Sequence, residues 1–257
     1  MVSHTAARTW ITRWDRQQEG YVPDREDRFT TIIDAVELAT GRPDPLVIDL
    51  GCGPGSLAAR LLERLPGATV VAVDADPLLL GLGRAAYDGT TGLRFAELDL
   101  RTPGWAQRLG LDGPADAAVS TTALHWLRPD ELHAVYAELA TVLRPGGVLL
   151  DGDHLSVDDT APALAELERD VYERRTARRF GADRPEDWQA WWAAFAADPE
   201  VAELVTRRGA DSDGSGHHGA PSGLLSTHVD ALRAAGFAET GTLWQHGNNR
   251  ILCALKD

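Results

Sequence analysis

Residues Val47 to Ser56 read VIDLGCGPGS, a short apolar run that ends in three closely spaced glycines. The segment that follows, up to Leu65, repeats leucine at helical spacing, so the stretch predicts a strand, a tight turn and a helix. In α/β sheets such a turn points backbone N–H groups outward and lets a ligand approach the main chain closely. One carboxylate, Asp49, precedes the turn, and its charge favours a neighbouring ammonium or sulfonium over a pyrophosphate.

A dinucleotide-binding turn is one alternative for this segment. Its usual glycine spacing is G-x-G-x-x-G, and here Gly51 and Gly53 are followed by Ser56 at the third place. A protein that binds NADP would also carry an arginine soon after the second strand, where this chain has Ala75-Asp76-Pro77. An NAD(P)-linked oxidoreductase therefore remains an alternative, although the third glycine and the arginine expected for it are missing.

Strands alternate with helices through the first part of the chain, a pattern that predicts a parallel sheet covered on both faces. The predicted strands are Val47–Leu50, Ala68–Val73, Leu93–Leu98, Ala115–Ser120 and Val148–Leu150. The helices predicted between them cover Ser56–Leu65, the leucines after Pro77, and Glu131–Leu143.

The alternation stops after Asp151. Two long helices are predicted next, over Pro162–Arg179 and Pro185–Arg208, and then a polar, glycine-rich loop over Gly209–Gly223 that we expect to be mobile. The last predicted elements are a helix over Thr227–Ala235 and strands over Phe237–Gln245 and Arg250–Leu255. The turn residues HGNN between those strands predict an antiparallel hairpin.

Composition narrows the function classes. The chain has 257 residues, 39 acidic against 25 basic, and a formal net charge of -14, so its average surface repels nucleic acid. No apolar run approaches the roughly 20 residues that span a bilayer, and the first residues lack the apolar core of a signal peptide. Two cysteines, Cys52 and Cys253, are too few for a disulfide framework. We expect a cytoplasmic protein without nucleic-acid or membrane partners, and the sequence leaves its oligomeric state open.

The glycine turn, Asp49-Leu50-Gly51-Cys52-Gly53-Pro54-Gly55, resembles the first motif of class I S-adenosylmethionine-dependent methyltransferases. Further segments agree in order: VVAVDAD and FAELDL at the second and third strands, DAAVSTTALHWL at the fourth, and LRPGGVLLDGDH at the fifth. The fourth segment resembles the small-molecule branch that is related to trans-aconitate methyltransferase. The resemblance covers Pro45 to Asp153 and the closing hairpin from Phe237 onward.

Together with the order of elements, this resemblance implies a fold class and a division of the chain. The fold is α/β, a Rossmann-like, doubly wound, seven-stranded sheet with a closing antiparallel hairpin, plus an inserted helical cap. We expect a helical segment that covers the cofactor site in residues 1–44 and the cofactor-binding core in 45–154. The helical cap and mobile loop are expected in 155–225, and the helix and hairpin that complete the sheet in 226–257.

The resemblance also implies S-adenosylmethionine as the cofactor and places its binding residues. In the family, an acidic residue after the second strand holds the ribose hydroxyls and one after the third contacts adenine; these are Asp74 and Asp99 here. An N-terminal segment often covers the methionine end, where Trp14 and Tyr21 could attract the sulfonium through their rings; packing as an amphipathic helix is the alternative. The full predicted set is Asp49, Gly51, Cys52, Gly53, Gly55, Asp74, Ala75, Asp99, Leu100, Thr121, Trp14 and Tyr21.

Two histidines are candidate catalytic residues. His125 and His154 follow the fourth and fifth strands, whose carboxyl ends should lie side by side, so either could orient or deprotonate an acceptor. The alternative for His125 is simple packing beside Trp126. No metal site is predicted, because the adjacent His217 and His218 lack a third ligand at regular spacing.

The candidate substrate-binding residues lie later in the chain. Trp188 and Trp192 are predicted to roof an acceptor pocket for a flat or apolar substrate, and His228 is assigned to the substrate as well. Ordinary packing is the alternative, because Trp188, Trp191, Trp192 and Phe195 have helical spacing.

The sequence thus predicts an enzyme that transfers a methyl group from S-adenosylmethionine to the O, N or C atom of a small molecule, with S-adenosylhomocysteine as product. Its setting is expected to be bacterial specialised biosynthesis. Related S-adenosylmethionine-type chemistry other than simple methylation remains an alternative, as does a non-catalytic cofactor-binding scaffold.

Overall fold

The computed structural model of the protein describes residues 2–157, 160–211 and 223–257. Most of the loop predicted over Gly209–Gly223, including His217 and His218, lies outside the described residues. The strands are β1 Leu46–Leu50, β2 Thr69–Asp74, β3 Leu93–Glu97, β4 Ala115–Thr121, β5 Leu143–His154, β6 Phe237–His246 and β7 Asn249–Lys256. The helices are α1 His4–Glu19, α2 Arg25–Thr40, α3 Ser56–Arg64, α4 Pro77–Ala86, α5 Trp105–Arg108, α6 Pro129–Val142, α7 Pro162–Phe180, α8 Trp188–Ala197, α9 Ala202–Asp211 and α10 Leu225–Ala234.

The strands of the described chain form one seven-stranded sheet in the order β3-β2-β1-β4-β5-β7-β6. Strands β1 to β5 are parallel, whereas β7 pairs antiparallel with both β5 and β6. The direction of winding reverses between β1 and β4, and the carboxyl ends of strands at such a point are where open α/β sheets bind ligands. The predicted fold class is confirmed.

Strand β5 is longer at both ends than the predicted Val148–Leu150. Its first residue, Leu143, pairs with Ala115 of β4 ahead of a register shift. Its last four residues, Asp151 to His154, pair antiparallel with β7. Acidic residues gave no strand signal in the sequence, but pairing with neighbours on both sides extends the strand and carries its charged end to the edge where the ligand site is expected.

Apolar side chains cover both faces of the sheet. On one face, helices α2 and α3 pack Phe29, Ile32 and Leu61 against the strands. On the other, α5, α6 and α10 pack against them, with Trp105 and Tyr136 wholly buried. Each fully buried large apolar side chain contributes about 1.5–3 kcal/mol, so burial on the two faces holds the layers together.

The first helix belongs to a separate apolar cluster beside the sheet. Helix α1 begins after Ser3, whose side chain accepts a hydrogen bond from the Ala6 N–H at 3.1 Å. Its apolar face, with Trp10 and Trp14, packs against α4, α8 and α9. The N-terminal segment is therefore joined to the inserted helices and not to the sheet alone.

The prediction of one helix over Pro185–Arg208 is wrong, because the helical backbone is interrupted between α8 and α9. Pro199 restricts Asp198 to extended backbone, with ψ at 118°, and a helix cannot continue through it. The Asp198 carboxylate instead accepts hydrogen bonds from the Glu200 N–H at 2.9 Å and from the Trp10 indole at 2.8 Å. The helix predicted over Pro162–Arg179 is confirmed as α7.

No helix within the described ranges is long and apolar enough to cross a membrane. The same residues contain no group of three or more His, Cys, Asp or Glu side chains arranged to hold a metal ion. The division of the chain at residues 44, 154 and 225 stays a prediction.

Candidate functional site

A cavity of about 1310 Å³ opens at the carboxyl ends of the parallel strands. Its floor includes the glycine turn after β1, Asp74 at the end of β2, and the segment Thr121 to Ala123 after β4. Helices α1, α7 and α8 supply its walls, with Trp14, Trp188 and other side chains. The space lies where the winding of the sheet reverses, so the fold itself creates the opening.

The glycine turn needs residues without side chains for two different reasons. Gly51 has φ +66°, and a Cβ atom there would lie 2.4 Å from the Ala123 Cβ, so the turn and the segment after β4 touch. Gly53 has φ +55°, and a Cβ there would meet only the Trp14 ring, at 3.7 Å. Gly53 therefore presents bare backbone to the cavity, as the sequence predicted for a closely approaching ligand.

Asp74 is fixed at the edge of the cavity by the backbone around it. Its Oδ2 accepts a hydrogen bond from the Gly53 N–H at 2.7 Å, and its Oδ1 accepts from the Asp76 N–H at 2.8 Å. Burial raises the pKa of the Asp74 carboxyl, although both N–H groups favour the charged form. Each oxygen keeps a second lone pair, so the carboxylate can accept from two ligand hydroxyls.

Asp49 lies beneath the turn, wholly buried, and does not line the cavity. Burial and the nearby charge of Asp74 raise the pKa of its carboxyl to about 7. A cation held above the turn would favour the ionised form of this group.

Five of the predicted cofactor residues do not reach the cavity wall: besides Asp49, these are Gly55, Ala75, Asp99 and Leu100. Asp99 is instead bound by the Arg101 guanidinium, with N–O distances of 2.8 to 3.1 Å. Contact of Asp99 with adenine thus stays a prediction. Gly51, Cys52, Gly53, Asp74, Thr121, Trp14 and Tyr21 all line the cavity.

His125 is half-buried and pairs with the wholly buried Asp153. The chain leaves β4 through Thr122, which adopts φ +50° and donates its N–H to the Gly152 carbonyl at 2.9 Å, and a short 3-10 helix then carries His125. The Nδ1 atom of His125 lies 2.8 Å from both carboxylate oxygens of Asp153. The neutral ring therefore keeps its proton on Nδ1, which makes Nε2 the basic nitrogen.

The electrostatics of this pair favour a charged imidazole. Burial lowers the pKa of His125, but the charge and hydrogen bond of Asp153 outweigh it, so the net pKa is raised. Burial raises the pKa of Asp153, whereas the charge and hydrogen bond of His125 lower it. The effect of His125 is the stronger, so the pKa of that carboxyl lies below its usual range. Asp151, two residues earlier on the same face of β5, has a raised pKa because it is buried beside Asp153.

His154 also lines the cavity, but in a different environment. Its ring packs edge-on against Tyr172 of α7, with centroids 4.9 Å apart. Burial lowers the pKa of His154 to about 4, so its ring is neutral at physiological pH. It is a hydrogen-bonding group and a much weaker base than His125.

The aromatic residues of α8 divide between two roles. Trp191 and Phe195 are wholly buried and pack on Trp10 of α1, which is the packing alternative. Trp188 and Trp192 line the cavity, and Trp188 lies edge-on to Trp14 with centroids 5.3 Å apart. Only these two can meet a ligand.

The structure does not bring His228 to the cavity, and its assignment to the substrate stays a prediction. His228 is wholly buried on α10, and its Nδ1 lies 2.7 Å from the Tyr136 hydroxyl and 3.4 Å from Asp151. It lies within the core between the sheet and α6, away from the cavity lining. His228 lies near the start of α10, and the sequence there does not indicate which face of the helix packs against the core.

Residues 47–147 match a family model described as a methyltransferase domain. This stretch of the chain is therefore similar to methyltransferase domains. This match covers the glycine turn, Asp74, Thr121 and His125, and it ends before Asp153.

Two curated relatives are similar over about half of the chain. A trans-aconitate 2-methyltransferase from Azoarcus sp. (strain BH72) is 36% identical over 137 residues, which cover 53% of this chain and 49% of that protein. One from Deinococcus radiodurans is 35% identical over 136 residues, covering 53% and 47%. The chain thus spans about half the length of the curated relatives it matches.

Solved structures are similar in fold. Human N-acetylserotonin methyltransferase in complex with SAM has a TM-score of 0.54 at 17% identity, covering 95% of this chain and 56% of that one. The S-adenosylmethionine-dependent methyltransferase SibL, in its apo form, has a TM-score of 0.53 at 16% identity, covering 82% and 50%. At these identities the likeness establishes the fold alone.

One residue close to the site carries no local sequence signal. Arg28 of α2 is wholly buried and bonds to Thr121 and to Asn249. These partners lie 93 and 221 residues away in the chain. No local pattern marks such a contact, because the segment REDRF reads as an ordinary polar start of a helix.

Proposed function

We propose that this protein binds S-adenosylmethionine and transfers its methyl group to a small-molecule acceptor. The similarity of residues 47–147 to a methyltransferase domain model and the cavity at the switch point of the sheet support this proposal. When bound, the cofactor supplies an activated methyl group, whose bond to sulfur breaks as the bond to the acceptor forms, so that S-adenosylhomocysteine is left. A cytoplasmic location and a role in bacterial specialised biosynthesis remain predictions.

The residues present fit the adenosine part of this cofactor. Asp74 can accept from both ribose hydroxyls, since a carboxylate has about four lone-pair sites and the Gly53 and Asp76 N–H groups do not fill them. The space above Gly53, where a Cβ would have only the Trp14 ring within 4 Å, admits a ligand against the backbone. Trp14 can then lie over the bound group, and an aromatic face attracts a sulfonium.

The observation that carries the catalytic part of the proposal is the His125–Asp153 pair on the cavity wall. Asp153 holds the imidazole in one tautomer, as carboxylates do for catalytic histidines. For a hydroxyl acceptor, the neutral ring would take the departing proton on Nε2. For a carboxylate acceptor, which is already ionised, the protonated ring would orient it by donating from Nε2. The pH profile distinguishes the two, because deprotonation of His125 with rising pH increases activity in the first case and decreases it in the second.

The other cavity residues would position the acceptor. His154, neutral at physiological pH, can donate or accept one hydrogen bond without adding charge. Trp188 and Trp192 line the cavity and would shield the reacting atoms from water, and methyl transfer depends on such alignment and exclusion. Trans-aconitate is the first acceptor to test, because that substrate is named for two relatives.

The proposal is tested in two stages. Calorimetric titration with S-adenosylhomocysteine and with NADH should yield binding of the first only, and the reverse result would favour an oxidoreductase. Transfer of labelled methyl from S-adenosylmethionine to trans-aconitate and to a panel of small hydroxylated and amino compounds is then measured. Binding without turnover on any acceptor would favour a cofactor-binding scaffold.

Single-turnover rates assign the histidines. His125→Ala should lower the rate by about 10²–10⁴-fold, the usual contribution of a positioned acid or base, with cofactor affinity little changed. His154→Ala should have a smaller effect if its role is positioning. His133→Ala, at an exposed position of α6, is the matched control. Near-normal rates in both test variants would remove the histidines from the mechanism.

A further inference from the structure

Arg28 places a guanidinium inside the protein, directly behind the cavity wall. The residue is wholly buried, and its Nη1 donates to the Asn249 side-chain oxygen at 2.8 Å. Its Nη2 donates to the Thr121 hydroxyl oxygen. The side chain passes over Gly152, where a Cβ would lie 3.0 Å from its Cδ and Nε atoms. A glycine in β5 is what lets the guanidinium reach Thr121.

The charge of Arg28 has no contacting counter-ion in the part of the chain that the structure describes. Burial lowers its pKa to about 10, so the group is still protonated at neutral pH. Both bonded partners are neutral, and the Nε atom makes no hydrogen bond to any described residue. Asp153 acts on it only at longer range and is itself bound to His125. Buried charges are costly unless they are paired, so an anion beside this group would be strongly favoured.

Thr121 connects Arg28 to the cavity, because it accepts a hydrogen bond from Arg28 and lines the cavity wall. It is the last residue of β4 and lines the cavity wall. Because its oxygen accepts from Arg28, the hydroxyl hydrogen is left to donate elsewhere, and the nearby cation strengthens that donor. The wall therefore presents a polarised O–H group with a positive charge behind it.

We propose that Thr121, backed by Arg28, forms a subsite that binds the carboxylate group of a ligand. This inference rests on the proposed function, which supplies two carboxylates: the one on the methionine end of the cofactor and the one on an acidic acceptor. The strand order β2-β1-β4 puts Thr121 on the opposite side of the glycine turn from Asp74, within reach of the far end of a ligand whose ribose is held there. Arg28 is a positioning residue in this arrangement, because it acts through Thr121.

Three calorimetric titrations of Thr121→Val test the subsite. They use S-adenosylhomocysteine, 5′-methylthioadenosine, which lacks the amino-acid end, and trans-aconitate added to protein saturated with S-adenosylhomocysteine. If the cofactor carboxylate is the occupant, affinity for S-adenosylhomocysteine should fall about 10- to 100-fold while that for 5′-methylthioadenosine is unchanged. If an acceptor carboxylate is the occupant, only trans-aconitate should bind more weakly.

Two further variants separate the subsite from a structural effect. Thr176→Val is the matched control, since Thr176 also lines the cavity but its hydroxyl donates to the Tyr172 carbonyl of its own helix and not to a group behind the wall among the described residues. Arg28→Lys keeps the charge without the forked geometry and should weaken the same ligand as Thr121→Val, by a smaller factor. Thermal melting confirms that each variant is folded.

The outcomes that contradict the inference are distinct from those that contradict the proposed function. Equal weakening of S-adenosylhomocysteine and 5′-methylthioadenosine in Thr121→Val would overturn the subsite, and so would unchanged affinity in all three titrations. Failure of the unmodified protein to bind S-adenosylhomocysteine would overturn the proposed function and the subsite together.

Discussion

Replacement of Asp74 by alanine should weaken binding of S-adenosylhomocysteine by about 10- to 100-fold. The carboxylate is held by the Gly53 and Asp76 N–H groups at 2.7 and 2.8 Å, so it is already aimed before a ligand arrives. Hydrogen bonds to a charged group contribute about 1.5–3 kcal/mol. We assign that range to the two ribose hydroxyls together, because desolvation of the buried carboxylate offsets part of the gain, and about 1.4 kcal/mol corresponds to a factor of ten.

The assay must separate a lost ligand contact from a loosened turn. Calorimetry with S-adenosylhomocysteine and with its 2′,3′-dideoxy analogue does so, because only the first has hydroxyls for Asp74 to bind. The variant should lose affinity for the parent ligand and little for the analogue. Equal losses would mean that Asp74 acts by bracing Gly53, and a folded Asp74→Ala protein with unchanged affinity would refute the ribose assignment.

The pH dependence provides a second check on Asp74. Burial raises the pKa of its carboxyl, and the ionised form accepts hydroxyl donors better than the protonated form. Affinity for S-adenosylhomocysteine should therefore fall as the pH is lowered through this raised pKa. Asp74→Ala should show a flatter profile.

Three other outcomes can be checked directly. Asp153→Asn removes the charge that raises the pKa of His125, so the His125 ring should titrate at lower pH by NMR; an unmoved titration would contradict the pairing. Gly53→Val should abolish binding of S-adenosylhomocysteine while circular dichroism stays unchanged, since the new side chain would occupy the cavity at a φ of +55°; normal binding would make the turn merely structural. Trp191→Ala should cost about 3–5 kcal/mol of unfolding free energy in urea, whereas Trp192→Ala, at the cavity wall, should cost clearly less; equal costs would contradict the division of roles.

The elements that local sequence determines were predicted well. Alternating apolar strands and the glycine turn specify β1, α3 and β2 through neighbouring residues, and Asp74 follows from its place at a strand end. The break in the helix predicted over Pro185–Arg208 had a local cause as well, since Pro199 marks it. The helical spacing of apolar residues on both sides of Pro199 nevertheless favoured the prediction of one continuous helix.

The features that the sequence could not give depend on distant partners. Asp153 meets His125 across 28 residues, and Arg28 meets Thr121 across 93. The burial of His228 could not be predicted either, because it depends on which face of α10 packs against α6. Periodicity identifies an apolar face, but a polar residue on that face shows its role only when its partners are known.

Thr122 illustrates a compromise between stability and activity at a single position. A β-branched residue at φ +50° sits in the left-handed region, which costs of order 1–3 kcal/mol that glycine would avoid. Thr122 joins β4 to the short helix that contains His125. A stiff backbone at this position therefore limits the range of positions that the imidazole can occupy. Thr122→Gly would relieve strain and yet widen the range of imidazole positions. A library selected only for thermal tolerance would therefore be expected to accept glycine at this position, and one selected for turnover to reject it.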